Sequence, residues 1–492
     1  MSLNVLSDET IRSLLESLSR DEIEGFTHAL KCALHEYSMD TQQIESNFYN
    51  QPERTSTYSE ATGATTLFMP SVSPVGHGVK VVTVSSPNAP SRLPTIKPTG
   101  SLTLYSPEGS PVGFLHAQTL TAFRTALASA CLLTKRAHVK TLTVFGSGLQ
   151  AYWHVRVALM LRGSTIRHVY FINRGFSNNV KDIIRKIHSV PTAKKASEGW
   201  GKAEFSVLTP SYNEYARLQK EHIRAADVIY CCTPSTEDLF DASILTSHEG
   251  RRKGRLVIAV GSYTPEMREL PKELLLQAVK PHGGHLHYHK HATEGGVVVV
   301  DTLDGALKEA GEIIDAGLKS KQLVELGELV MIHRLAREEE ESSQSEVSST
   351  ISDSLRNSLD LSPPASAMST VFGSSSNLSP TNDSASSKRS SSQSPSRARR
   401  GSTSSSTTKE KRLSGSLFHL PSIGKSHHKR ESSSGSNHQK ESHNDHMARW
   451  LTSGNVIYKS VGFGLMDLTV GLEIVKLAKE RGIGAHIENF SA

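Results

Sequence analysis

The stretch Val144-Phe-Gly-Ser-Gly-Leu-Gln-Ala151 decides the fold. It follows a strand-like run over Thr141–Phe145 and precedes a helix-like run over 152–161. A glycine-rich turn at such a junction lets a pyrophosphate approach the backbone and rest at the positive end of the helix. The turn fits the G-x-G-x-x-A pattern, but glycine turns are common, so the surrounding sequence must support it. The residues predicted to hold a dinucleotide are Gly146, Ser147, Gly148, Leu149, Gln150 and Ala151.

The sequence around this turn alternates between strand-like and helix-like patterns, which is typical of a doubly wound parallel sheet. Strands are predicted at Thr141–Phe145, Val169–Ile172, Glu204–Val207, Val228–Cys232, Leu256–Val260 and Val297–Val300. The part before them is mixed, with a helix near Asp8–Tyr37, short strands, and an Ala/Leu-rich linking helix over 119–134. We therefore predict an α/β fold: a Rossmann-type doubly wound parallel sheet plus a mixed α+β substrate and dimerisation domain.

Residues 338–447 differ from the rest because they are rich in serine and poor in aromatic residues, which predicts a long disordered insertion. Motifs such as Arg399-Arg-Gly-Ser402 make the insertion a candidate kinase substrate. Patterned sequence resumes at Trp450, and an amphipathic helix is predicted over 465–481. The predicted domains are 1–137 (first part of the substrate domain, with the linking helix), 138–337 (Rossmann domain), 338–447 (insertion, dispensable for folding) and 448–492 (C-terminal return to the substrate domain).

Charge and cysteine content narrow the function classes. The chain carries +6 overall, but Lys388–Arg430 alone carries +10, which leaves −4 for the rest and argues against nucleic-acid binding by the core. Four cysteines without metal-ligand or disulfide spacing, and no leader or membrane-spanning run, favour a cytoplasmic protein with no membrane partner.

We predict no metal site and interpret the histidine cluster as a polar surface loop, because ligands need fixed supporting partners. These histidines are His282, His285, His287, His289 and His291.

Five further segments combine polar residues with strand or helix ends. They are Gly76-His-Gly-Val-Lys80-Val-Val-Thr83, Phe123-Arg124-Thr125, Cys232-Thr233-Pro234-Ser235, Ala259-Val-Gly261-Ser-Tyr-Thr-Pro265-Glu-Met-Arg268-Glu-Leu270 and Lys459-Ser-Val-Gly-Phe-Gly464. With the glycine turn, this ordered set resembles the ornithine cyclodeaminase/mu-crystallin family over about 5–335 and 448–485. The resemblance implies NAD(P) in the Rossmann domain, a small amino- or imino-acid substrate in the second domain, and a homodimer. A non-catalytic NADPH-binding protein of the mu-crystallin type is the alternative.

The resemblance also implies roles for individual residues. Arg54 and Lys80 hold the substrate carboxylate, and Arg124 lies near both cofactor and substrate. Hydride transfer at the α-carbon of an amino acid needs such a cationic grip, although a cation in an amphipathic element is more often a solvated or surface-paired residue. The implied catalytic residues are Lys80, Arg124 and Tyr263, and the implied substrate contacts are Arg54, Lys80 and Val461. The implied cofactor contacts outside the glycine turn are Thr95, Arg124, Asn173, Arg174, Thr233, Val260, Gly261 and Ser460.

Cofactor choice is predicted from the end of the second strand of the Rossmann domain. An acidic residue there accepts both ribose hydroxyls of NAD, whereas a cation favours the phosphate of NADP. This chain has Phe171-Ile-Asn173-Arg174-Gly175 and no carboxylate at that position. Asn173 and Arg174 also resemble the mu-crystallin branch, so we predict that NADP is preferred over NAD.

One residue departs from the family pattern. Cyclodeaminases of the family carry an acid/base aspartate in the loop after the fifth strand, where this chain has Tyr263. A phenol ionises near pH 10, so it is a poor base at neutral pH, though it can donate a proton. Ornithine cyclodeamination to proline, reduction of a preformed ketimine, and amino-acid oxidation with another base therefore stay open. Glu266 is a candidate replacement base.

Overall fold

The computed structural model describes residues 2–41, 48–86, 89–90, 92–262, 264–280, 295–329 and 450–490. The predicted insertion at 338–447, with its kinase motifs, lies outside these ranges, as do Tyr263 and the histidine cluster of 282–291. The described residues form a seven-stranded mixed sheet and an eight-stranded parallel sheet with helices around them. This arrangement confirms the predicted α/β fold with a doubly wound parallel sheet.

The described residues include fifteen strands and twelve α-helices. The strands are β1 (Leu3–Leu6), β2 (Thr55–Ser59), β3 (Ala64–Ser73), β4 (Gly76–Ser85), β5 (Thr99–Tyr105), β6 (Pro111–His116), β7 (Thr141–Phe145), β8 (His168–Ile172), β9 (Glu204–Leu208), β10 (Val228–Cys231), β11 (Leu256–Ala259), β12 (Val297–Val300), β13 (Leu323–Glu325), β14 (Val456–Lys459) and β15 (Ala485–Ile487). The helices are α1 (Asp8–Ser17), α2 (Arg20–Asp40), α3 (Ala117–Leu133), α4 (Leu149–Arg162), α5 (Asn178–Ser189), α6 (Thr192–Ser197), α7 (Tyr215–Ala225), α8 (Ser243–Thr246), α9 (Lys272–Ala278), α10 (Leu303–Glu309), α11 (Gly311–Asp315) and α12 (Gly464–Glu480).

The parallel sheet has the strand order β13-β12-β14-β11-β10-β7-β8-β9. Its central strands are continuous apolar runs because both faces are covered, and all four residues of β10, β11, β12 and β14 are buried. Strands β8 and β9 lie on one side of β7, and β10 lies on the other. The strand order therefore reverses beside β7, and in open α/β sheets a ligand crevice forms at the carboxyl ends of the strands at this point.

The C-terminal segment does not follow the predicted boundary. Residues 448–492 were expected to return as a whole to the substrate domain, but β14 is an interior strand of the parallel sheet, hydrogen-bonded to β11 and β12. The expectation is wrong for this strand because a buried run of four residues fits the centre of either sheet, and periodicity alone does not assign it. Helix α12 packs against β3, β4, β5 and β6, and β15 pairs with β1.

The mixed sheet is an antiparallel meander from β2 to β6, extended by β1 and β15. The helix predicted near Asp8–Tyr37 is divided into α1 and α2, because Ser19 forms a capping box with Glu22 and starts a new helix. Helices α2, α3 and α12 pack together over the sheet. None of the helices within the described ranges is long and apolar enough to cross a membrane.

Candidate functional site

The glycine turn after β7 has the geometry of a phosphate cradle. Gly146 has a φ of 101°, in the left-handed region, and a Cβ there would lie 2.7 Å from the carbonyl oxygen of Cys232. Gly148 is the N-cap residue of α4 and, as a glycine, has no side chain to accept from the first N–H groups of the helix. A Cβ on Gly148 would meet nothing within 4 Å, so the space beside it is open. The first backbone N–H groups of α4 therefore have room for a pyrophosphate at the positive end of the helix. Ala151 is fully buried, which allows close packing behind the turn.

Two buried polar atoms near this turn add to the fit. Gln150 Oε1 and Asn173 Nδ2 find no hydrogen-bond partner among the residues that the structure describes. Buried polar atoms normally have a hydrogen-bond partner, and the hydroxyls of a dinucleotide would provide one for each of these two atoms. Asn173 directly follows β8, and Arg174 beside it is exposed. These residues fit the adenosine half of NAD(P).

Lys80 and Arg124 share one buried carboxylate. Lys80 Nζ lies 2.5 Å from Asp467 Oδ2, and Arg124 Nε lies 3.0 Å from Asp467 Oδ1. Successive side chains of β4 point to opposite faces of the mixed sheet, so Lys80 shares a face with Gly78, two residues earlier. That face is the one covered by α12, because a Cβ on Gly78 would lie 3.3 Å from Leu468 of this helix. Burial lowers the pKa of Lys80 to about 8, and the charge of Asp467 opposes the shift. The lysine therefore holds its proton at neutral pH but releases it more readily than an exposed lysine.

Arg54 joins this group through the loop after β14. Its Nη2 contacts the carboxylate of Glu309 and donates to the carbonyl oxygen of Gly462 at 3.4 Å. A Cβ on Gly462 would lie 2.4 Å from Arg124 Nη2, and the φ of 73° also requires glycine. Gly462 therefore touches both arginines. Arg54 and Lys80, which the resemblance assigns to the substrate carboxylate, and Arg124, which it places near cofactor and substrate, converge beside the carboxyl end of β14.

Asp301 fixes the backbone of that loop. It follows β12 directly, is buried, and accepts hydrogen bonds from Ser460 Oγ (2.8 Å), Gly462 N (2.7 Å) and the hydroxyl of Tyr458. The hydroxyl of Ser460, predicted as a cofactor contact, is thus directed at Asp301. Val461 packs with its side chain against the core on the far face of the parallel sheet. The sequence analysis missed Asp301, whose signal is a carboxylate placed directly after a four-valine strand.

Glu269 joins the loops after β10 and β11. It is fully buried and accepts hydrogen bonds from Thr233 N (2.6 Å), Thr233 Oγ1 (2.9 Å) and Gly261 N (2.7 Å). Burial raises the pKa of Glu269 to about 7, and nearby Lys459 opposes the shift. The hydroxyl of Thr233, like that of Ser460, is directed at protein and not into the crevice. Thr233 and Gly261 lie in contact, since a Cβ on Gly261 would lie 2.0 Å from the carbonyl oxygen of Thr233.

A second buried carboxylate supports the same region. Glu312 accepts a hydrogen bond from Ser262 Oγ at 2.7 Å and lies 3.5 Å from Lys459 Nζ. Lys459 in turn donates to the carbonyl oxygen of Ser262 at 2.8 Å. Ser262, immediately before Tyr263, is therefore held by two buried charged side chains from different elements, Glu312 at its hydroxyl and Lys459 at its carbonyl. In the sequence, Lys459 was identified only as part of a motif, with no role, and Glu312 was not identified, because a single charge near a strand end is usually exposed.

Some predicted residues are not brought into this arrangement. Thr95 is exposed in the connection between β4 and β5, on the mixed sheet. Glu266 is exposed, and Tyr263 lies outside the described residues. Val260 follows β11 at the carboxyl edge, beside Gly261. The structure thus brings together Arg54, Lys80 and Arg124, and separately the glycine turn with Thr233 and Gly261.

Residues 17–326 match the model of the ornithine cyclodeaminase/mu-crystallin family. An uncharacterized protein of Saccharomyces cerevisiae is 27% identical over 350 residues, which cover 67% of this chain and 86% of that protein. The Delta(1)-pyrroline-2-carboxylate reductase of Bacillus cereus is 28% identical over 286 residues, which cover 56% of this chain and 74% of that protein. The structure of the Thermococcus litoralis Delta(1)-pyrroline-2-carboxylate reductase with NADH and L-proline has a TM-score of 0.55 at 17% identity, with 98% and 100% of the two chains covered, a likeness of fold.

Proposed function

The chain belongs to the ornithine cyclodeaminase/mu-crystallin family, and we propose that it is an NAD(P)-dependent enzyme that reduces the C=N bond of a small cyclic imino acid. The Bacillus cereus relative is named as a reductase of Delta(1)-pyrroline-2-carboxylate, which is such a substrate. Tyr263, where cyclodeaminases carry an aspartate, favours reduction over deamination because a phenol is a poor base at neutral pH. Ornithine cyclodeamination is the competing reaction within the same family.

The observation that carries this proposal is the convergence of Arg54, Lys80 and Arg124 beside Gly462. Three cations around one point suit a carboxylate, which accepts charge-assisted hydrogen bonds. In the parallel sheet β14 is three strands from β7, and adjacent strands are about 4.8 Å apart, so the loop after β14 lies roughly 14 Å from the glycine turn along the sheet. The nicotinamide half of a dinucleotide held at the turn would extend along the carboxyl ends of β10 and β11 toward the cations.

The chemistry needs a hydride at the imine carbon and a proton at the imine nitrogen. The reduced nicotinamide supplies the hydride when it is bound. Arg54 and Arg124 bind and orient the carboxylate, and the burial of Arg124 keeps water from competing at that arginine. Lys80 holds a proton on Nζ beside Asp467, and its pKa, lowered to about 8 by burial, makes it a proton donor near neutral pH. The balanced reaction converts the imine into the corresponding cyclic amino acid.

The end of β8 supports a preference for NADP over NAD. Arg174 is exposed there, and no carboxylate follows the strand to accept the ribose hydroxyls of NAD. Ser177, the N-cap of α5, makes no side-chain capping bond. Its hydroxyl, the guanidinium of Arg174 and the first N–H groups of α5 are therefore available to one 2′-phosphate.

We also propose a homodimer formed through the open face of the mixed sheet. Strand register places Phe68, Val72 and Phe114 on the face opposite Lys80, and all three are exposed. Apolar side chains grouped on a sheet face are typical of a protein interface. Light scattering after size exclusion should give twice the chain mass, and Phe114→Lys should give the monomer mass.

Function is tested by fluorescence titration with NADPH, followed by assays with Delta(1)-pyrroline-2-carboxylate, ornithine and alanine. The pyrroline should be reduced, and Lys80→Met should abolish turnover while NADPH binding persists. Lys202→Met, at an exposed lysine on the same chain, is the matched control and should behave like the parent. Proline formation from ornithine at enzymatic rates would show cyclodeamination instead. Tight NADPH binding without turnover of any of the three compounds would favour a non-catalytic NADPH-binding protein.

A further inference from the structure

Arg54 differs from the other two cations of the site in its partner. Lys80 and Arg124 share Asp467, and these three side chains are 0 to 5% exposed. Arg54 pairs instead with Glu309, and these two side chains are 18% and 24% exposed. The ion pair formed by Arg54 and Glu309 is therefore the part of the cationic group that is open to an arriving ligand.

Glu309 is also the least constrained carboxylate of the site. Asp467 is held by two cations, and Asp301 is held by three donors. Among the described residues, Arg54 is the one hydrogen-bond partner that Glu309 has. Glu309 is the last residue of α10, where the helix dipole disfavours a negative charge. Burial raises the pKa of Glu309, against the attraction of Arg54. The local structure thus holds this carboxylate mainly through Arg54.

A neighbouring ion pair provides an internal comparison. Lys308, the residue before Glu309, pairs with Glu53, the residue before Arg54. Both pairs join the segment before β2 to the end of α10. The side chains of Glu53 and Lys308 are 77% and 52% exposed, so water screens their attraction and the pair contributes little. A change at Glu53 therefore perturbs the same junction without changing the charge at Arg54.

We propose that Glu309 sets the affinity for substrate by occupying Arg54 in the ligand-free protein, and that the carboxylate of the substrate displaces it. The inference rests on the proposed function, since it requires a substrate with a carboxylate. Because Asp467 is enclosed and retains Lys80 and Arg124, the exchange takes place at Arg54. The displaced Glu309 stays next to the site and repels a second negative charge, so the substrate class is a monocarboxylic imino acid and not a dicarboxylic one.

The test compares Glu309→Gln with Glu53→Gln and the parent protein in the presence of NADPH. Binding of L-proline and of pyrrole-2-carboxylate is measured by calorimetry, and the Michaelis constant for Delta(1)-pyrroline-2-carboxylate is measured alongside. Glu309→Gln should bind both carboxylates about tenfold more tightly and lower the Michaelis constant similarly, because substrate no longer competes with a fixed carboxylate. Glu53→Gln should match the parent.

Three results would decide against the inference. Weaker or unchanged carboxylate binding by Glu309→Gln would show that Glu309 positions Arg54 or has no role there, while the proposed function stands. An equal gain in Glu53→Gln would assign the effect to the junction and not to Arg54. Absence of carboxylate binding in both the parent and Glu309→Gln, with native circular dichroism, would overturn the proposed function and the inference together.

Discussion

Replacing Asp467 by asparagine should destabilise the protein because it leaves two buried cations without a counter-charge. Asp467 is fully buried, and its carboxylate lies 2.5 Å from Lys80 Nζ and 3.0 Å from Arg124 Nε. Asparagine has nearly the same shape, so packing changes little. One amide oxygen can still accept from Arg124, but the negative charge is lost and the amide nitrogen faces Lys80.

The magnitude follows from the burial of the group. Breaking a buried ion pair on one side costs about 3–5 kcal/mol. Because asparagine keeps one acceptor, we expect the lower end, about 3 kcal/mol. An unfolding entropy of about 2.1 cal/mol/K per residue over a folded body of roughly 350 residues is about 0.7 kcal/mol/K, so the melting temperature should fall by about 4 °C.

Scanning calorimetry of the full chain at pH 7 measures this effect. Asp304→Asn is the control, because Asp304 pairs with Lys308 on the surface, where water screens the attraction, so this variant should melt at the temperature of the parent. The double variant Asp467→Asn with Lys80→Met removes one of the unpaired charges and should recover part of the loss. A single variant that melts within about 1 °C of the parent, or a double variant less stable than the single one, would refute the assignment of Asp467 as the shared counter-ion.

Three further outcomes are expected. The turnover rate with the imino acid should fall as the pH passes about 8, because Lys80 with its lowered pKa holds the proton to be donated below that pH and has lost it above, and steady-state kinetics on either side of that pH measure the fall. Arg174→Ala should weaken NADPH binding far more than NADH binding in fluorescence titrations, because the charge-assisted contact to the phosphate exists only with NADPH. Since the pKa of Glu269 is raised from 4.5 to about 7, the folded state retains a proton that the unfolded state has lost, so stability should fall between these pH values; urea unfolding at pH 5 and 7.5 should show a smaller fall in Glu269→Gln.

The local pattern of the sequence was sufficient to predict most strands of the parallel sheet. Strands buried on both faces are short apolar runs, as in Leu256–Ala259 and Val297–Val300, and six of the eight strands of this sheet were predicted from their alternation with helices. The glycine turn was identified because its backbone conformation requires specific residues, as the φ of 101° at Gly146 shows. The placement of β14 was missed because the run Val456–Lys459 carries no information about which strands it pairs with.

The sequence identified only some of the buried charged residues of the site. Arg54, Lys80 and Arg124 were named through family resemblance, whereas their partners Asp467 and Glu309 come from elements more than two hundred residues away in the chain. Asp467 does carry a local signal, since it interrupts the apolar run of α12 on a face that packs on the sheet. Glu309 carries none, because a glutamate at the end of a short helix has the pattern of a solvated residue.

The loop after β14 connects the two sheets at the proposed site. Lys459 ends the strand inside the parallel sheet and binds the backbone of Ser262, while Gly462, three residues later, contacts Arg54 and Arg124. Helix α12, which begins at Gly464, then carries Asp467 to Lys80 of the mixed sheet. A shift of β14 in the sheet would therefore move the cations proposed to bind the carboxylate relative to the crevice where the cofactor is proposed to bind. The residues that follow the predicted insertion thus supply both the interior strand of one sheet and the buried counter-ion of the other, so the proposed substrate and cofactor positions are linked through a single short segment of chain.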